Sequence, residues 1–81
     1  MTNNVFYLKT RHDMWHDIAD GKKNFDVRKD KNFQVGDILI FQLYTHGVIV
    51  EGKMNLARTI TYILPGGQFG IEEGYCVLGI S

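Results

Sequence analysis

The chain has little of what staples or interrupts a small fold. Its 81 residues include one cysteine, Cys76, and one proline, Pro65. A lone thiol closes no intramolecular disulfide, and without a thiol cluster there is no cysteine-based zinc site, so a reducing cytoplasm is the compartment this usage fits. No apolar run approaches the roughly 18 residues of a membrane-spanning helix, and the opening MTNNVFYLKT lacks a basic region followed by an apolar segment. No membrane partner is therefore expected. Nine Lys and Arg balance nine Asp and Glu, which removes any global attraction to nucleic acid or to an anionic surface. The length leaves room for one domain, read here as 1–81, and excludes a second.

What is present is dense in large side chains: five Phe, four Tyr and one Trp. A chain this short buries only about 60% of its unfolded surface, so such residues have to supply the core. Val5-Phe6-Tyr7-Leu8 reads as a first strand. Thr10 with Asp13 fits a capping box, Met14, Trp15, Ile18 and Ala19 form an apolar stripe, and Gly21 suits a helix C-terminus; together they predict a helix over about 11–20. Asn24 to Arg28 alternates with period two, which turns Phe25 and Val27 toward the core and Asp26 and Arg28 outward. Val35-Gly36-Asp37 is a turn before the apolar strand 38–44. Short strands at 48–50 and 58–64 follow as hairpins, with Glu51-Gly52-Lys53 as punctuation between them, and 75–80 closes the chain after a Gly-rich loop. One early helix among five or six strands excludes a helix-flanked parallel sheet. The fold expected is mainly β with one or two short helices, a small barrel with the first helix packed on it. Its core should contain Phe6, Leu8, Trp15, Ile18, Phe25, Val27, Leu39, Phe41, Ile60, Cys76 and Leu78.

The charges are unevenly placed: seven of the nine basic residues fall between Lys9 and Lys31. Within that stretch, Gly21-Lys22-Lys23-Asn24-Phe25-Asp26-Val27-Arg28 carries three ionisable side chains at the junction of helix and strand. The pattern G-x-K-x-x-[E/D]-x-R resembles the signature of ASCH domains (activating signal cointegrator homology), members of the PUA-like barrels. Leu8-Lys9 before the helix, Phe33 to Leu39, Ile60 to Leu64, Phe69-Gly70-Ile71 and Gly74 to Gly79 extend the resemblance to the short ASCH-like proteins of bacteria and phages over nearly the whole chain. It implies a barrel with a cleft beside the signature and an RNA or nucleotide-like ligand. Lys23 would meet phosphate or a base carbonyl, Arg28 would hold a phosphate or pair with the acid, and Asp26 would orient one of them. Lys9, Lys22 and Lys29 would be the basic surroundings. The bland alternative makes Asp26 and Arg28 a surface ion pair worth about 0 to 1 kcal/mol. Lys23 is out of phase with Asp26 on a regular strand, so a shared site requires it in the turn after Gly21 or at a bulge.

Two further readings belong to other function classes. Some ASCH proteins are amidohydrolases acting on a modified nucleoside, which the resemblance associates with a lysine, a threonine and a glutamate. Lys23 matches the lysine, but Asp26 stands where the threonine would be, and Glu72 and Glu73 do not match the glutamate's spacing. A phage or mobile-element accessory that binds a host protein would act instead through apolar surface. Phe69 and Tyr75 either line the cleft opposite Lys23 or anchor the loop between the last strands. His12 and His16, four apart, have no third partner of metal-ligand spacing, so no metal is expected. The glycines at 66, 67, 70 and 74 precede no helix, which argues against a phosphate-cradling loop, and nothing calls for a cofactor. Cys76 alternates with Leu78 and Ile80 as a core thiol.

Overall fold

A computed structural model describes residues 3–50 and 55–81, so the expected turn at Glu51-Gly52-Lys53 lies outside the described residues. The elements are β1 (Val5–Arg11), α1 (His12–Ala19), β2 (Phe25–Lys29), β3 (Ile38–Thr45), β4 (Val48–Ile49), β5 (Leu56–Pro65) and β6 (Tyr75–Ile80). The fold is mainly β with one short helix, as the sequence pattern predicts. The strands form one curled sheet in the order β1-β3-β5-β6-β2, with β4 paired to the end of β3. β1 runs parallel to β3, and the other pairings are antiparallel. No helix among the described residues is long and apolar enough to cross a membrane.

Two local devices shape this sheet. His46 and Gly47, at φ of 52° and 80°, form the two-residue turn of the β3–β4 hairpin, where the twist of the strands demands left-handed backbone. β5 does not simply follow β4 as a hairpin. Its first part, Leu56 to Thr59, pairs with β3, and its second part, from Ile60 on, pairs with β6, with an irregularity between Ile60 and Tyr62. An extra residue there bends the strand and lets the sheet curl.

The helix docks through Trp15 and Ile18, both buried, while Met14 and Ala19 face outward. Trp15 Nε1 donates to the Phe41 carbonyl at 3.2 Å, which satisfies the one polar atom that burying the indole would strand. The capping expectation fails at the other end of α1. Thr10 is not a cap, because β1 continues through Arg11 and draws Thr10 into the sheet interior; Arg11 is the N-cap residue and makes no side-chain cap bond.

The core also departs from expectation on one strand. Leu8, Trp15, Ile18, Leu39, Phe41, Ile60, Cys76 and Leu78 are buried as predicted, joined by Phe33, Leu43 and Ile80. Phe6 is partly buried, its ring edge-on to Phe33. Phe25 and Val27, however, are 49% and 47% exposed, and Asp26 is 3% exposed. The faces of β2 are therefore the reverse of the apolar-in reading, because this strand borders an open seam whose inner lining is polar.

Truncating Trp15 to Ala removes both the indole packing and the bond to Phe41, and we expect a loss of about 3–5 kcal/mol in a urea titration. A midpoint equal to that of the unaltered chain would place Trp15 outside the core.

Candidate anion-binding site

The two strands at the ends of the sheet order, β1 and β2, share no backbone ladder, and the site lies between them. Its assembly begins at the end of α1. Gly21 takes φ of 76°, Gly21 N–H donates to Ile18 O, and Lys22 N–H donates to Asp17 O, the paired bonds of a Schellman helix stop. The turn meets the condition set by residue spacing: Lys23 leaves the helix end off the strand, and its Nζ reaches Asp26 Oδ1 at 2.7 Å. Arg28 Nε donates to the other oxygen, Oδ2. One buried carboxylate thus serves two cations whose side chains are 15% and 24% exposed.

Arg28 then spans the seam. Nη1 donates to the Lys9 carbonyl at 3.1 Å and Nη2 to Thr10 Oγ1 at 3.2 Å, while Thr10 Oγ1 donates in turn to Leu8 O. The guanidinium fork joins β2 to β1 where no peptide group does. This is not the exposed pair of the bland alternative. Inside the seam it excludes water from Asp26, and removing one member leaves charge buried without its partner.

Outside this fastening lies a cleft of about 360 Å³ lined by Tyr7, Leu8, Lys9, Arg28, Lys29 and Lys31. Four of its six lining residues are cationic and none is acidic, the composition of an anion site, with the Lys9 ammonium over the Tyr44 ring, 5.4 Å from its centroid. Of the expected residues, Lys9, Arg28 and Lys29 line the cleft. Asp26 holds Arg28 from below through one oxygen and takes Lys23 on the other. Lys22 is exposed at the helix stop and does not line it. Phe69 and Tyr75 do not line it either: Phe69 stands at a loop apex, and Tyr75 lies across from Lys29 on β6. Sequence reasoning missed Tyr7, Leu8, Thr10 and Lys31 as neighbours of the site; of these, only Lys31 carried a signal, as the last member of the basic run.

A family model for a domain of unknown function, DUF3850, matches residues 5–80. The chain belongs to this family. The match takes in both flanks of the seam, from β1 to β6. No curated protein matches the chain.

Two other candidates lie outside the cleft lining. The His12 and His16 rings meet edge-on at 4.4 Å between centroids, and among the described residues no three His, Cys, Asp or Glu side chains converge as a metal site. Asp13 lies well outside the seam, where the Arg11 guanidinium and the Met14 N–H hold its carboxyl below the usual range. Cys76, on β6 opposite Arg28, is fully buried with its Sγ 3.6 Å from the Arg28 carbonyl, and burial pushes its thiol up, with Asp30 and Asp26 adding to the effect.

Asp26→Ala should cost about 3–5 kcal/mol in urea unfolding, because it strands two cations in the seam. Arg28→Lys should recover little of the loss of Arg28→Ala, since a point charge cannot reach three acceptors on two strands. Equal stability of Arg28→Lys and the unaltered chain would reduce the fork to a simple charge. The Cys76 thiol, kept protonated in the fold, should be alkylated by iodoacetamide at pH 8 far more slowly than in urea; equal rates would contradict its burial.

Proposed function

We propose that the chain is a small cytoplasmic ASCH-like module of the PUA-like class that binds RNA or a nucleotide-like ligand by its phosphate. The observation that carries this reading is the convergence of Lys9, Arg28, Lys29 and Lys31 on one open cleft without a carboxylate in its lining. Arg28 spends three of its five N–H donors on Asp26, Lys9 O and Thr10 Oγ1, which leaves two for a ligand. A guanidinium fixed in advance by three bonds pays little entropy on meeting a phosphate. The three lysines are the mobile charges around it, and the Tyr7 ring is an exposed aromatic at the same place, suited to stacking on a base. Binding outweighs amide hydrolysis as a reading because Lys23 and both Asp26 oxygens are already engaged with one another and with Arg28, and Asp26 supplies no hydroxyl nucleophile.

The test is fluorescence anisotropy at low salt with three probes: a single-stranded RNA, a duplex RNA and a labelled nucleoside triphosphate. Log affinity for the single strand should fall linearly with log salt, with a slope of about −0.7 per phosphate neutralised. Lys29→Ala with Lys31→Ala should weaken binding and flatten that slope. Lys23→Ala should act through stability instead. Absence of binding to all three probes, or a slope untouched by the lysine substitutions, would overturn the reading.

A further inference from the structure

The loop from β5 to β6 is held by its own backbone. Gly66 N–H donates to Tyr75 O at 2.8 Å, Gly67 N–H to Ile71 O at 2.7 Å, and Tyr75 N–H to Glu72 O at 3.1 Å. A Cβ at Gly66 would collide with the carbonyls of Glu72 and Tyr75, so the two arms cross only over a glycine. At the apex, closed by the Gln68–Ile71 bridge, Phe69 and Gly70 take φ of 52° and 77°. These are the central positions of a type I′ turn, which favours Asn, Asp and Gly. Phenylalanine there carries two costs at once: left-handed backbone, and a ring 83% exposed to water. Neither serves the fold. A large ring held out on a pre-formed turn is what an anchor in a binding pocket requires.

The chemistry of the pocket follows from the neighbours. The only charges in the loop are Glu72 and Glu73, so a complementary surface has an apolar floor and a basic rim, and a phosphate backbone is disfavoured. That surface exists on this chain: the exposed Tyr7 ring with Lys9, Lys29 and Lys31 around it. The geometry points to a two-fold dimer in which Phe69 of each copy enters the β1/β2 cleft of the other, with Glu72 and Glu73 facing Lys29 and Lys31. The loop adjoins the cleft, since Asp30 N–H donates to Gly74 O at 2.8 Å and Lys29 pairs with Tyr75. The foot of the loop and the cleft therefore share one flank, and a two-fold operation that seats one Phe69 seats the other and closes the assembly. A net charge of zero imposes no overall repulsion between copies. This inference stands apart from the phosphate reading, because it requires only the cleft's shape and charge.

Sedimentation equilibrium at low salt, from micromolar to millimolar chain, tests it. The unaltered chain should show a monomer–dimer equilibrium. Phe69→Asn, which suits the turn but removes the ring, should raise thermal stability of the monomer while weakening association about thirtyfold, the loss typical of a central anchor. Lys29→Glu with Lys31→Glu, and separately Glu72→Lys with Glu73→Lys, should each remain monomeric alone and associate when mixed in equal amounts. Circular dichroism checks that every variant is folded. A monomer at all concentrations, a dimer indifferent to Phe69→Asn, or a mixture that stays monomeric would each overturn the proposal. None of these outcomes bears on whether RNA or a nucleotide binds the free cleft.

Discussion

The Arg28 guanidinium takes the place of a strand ladder that the backbone does not make. Among the described residues β1 shares a ladder with β3 alone and β2 with β6 alone, so the curled sheet has two edges that face each other. Left open, such edges template unwanted pairing. Closing them by backbone hydrogen bonds would seal the seam and erase the cleft. A planar fork reaching one carbonyl and one hydroxyl ties the edges at a single point and keeps a gap beside it. The arrangement requires an anion beneath the guanidinium, and Asp26 supplies it; that carboxylate also takes Lys23, which the helix stop at Gly21 delivers to it.

A second buried carboxylate shows by contrast what Asp26 is for. Asp37, also almost wholly buried, accepts the N–H groups of Asn4 and Gln34 at 3.0 and 2.8 Å. Its partners are backbone donors, so it clamps the start of β1 to the turn before β3. Carboxylates bonded by peptide groups stabilise a turn, whereas a carboxylate bonded by cations orients them. The same residue type, equally buried, thus has a scaffold role at one end of β3 and a positioning role at the seam.

Much of this was legible in the sequence because local chemistry determined it. The strands around Phe41 and Cys76 have β-branched and aromatic composition that leaves few alternatives, and Gly21 and the His46-Gly47 pair announce their turns by the backbone they need. The face of β2 was not legible. Alternation of Phe25 and Val27 with Asp26 and Arg28 says only that one face differs from the other, and the apolar face is the default choice for the interior. What reverses it is a long-range fact, the unpaired edge of β1 opposite, which no residue in 24–28 reveals. Thr10 misled for the same reason: its hydroxyl has the chemistry of a cap, yet its partner is an arginine 18 positions away. The G-x-K-x-x-[E/D]-x-R pattern did bring Lys23, Asp26 and Arg28 together, though it could not divide them into the one that faces the cleft and the two beneath it.

The pairing of β2 with β6 alone also sets an order of events during synthesis. Phe25 opposes Gly79, and Arg28 opposes Cys76, so β2 has no strand to join until the chain around residue 75 has left the ribosome. The parallel pair β1 and β3, with α1 packed on them, can form much earlier, because their contacts lie between Val5 and Thr45. Through that interval Lys23, Asp26 and Arg28 have emerged without a frame to hold them. Long-range pairings are the slow ones. The cleft is consequently the last part of the molecule to come into being, and a nascent chain stalled before β6 carries every charged residue of the site without possessing it.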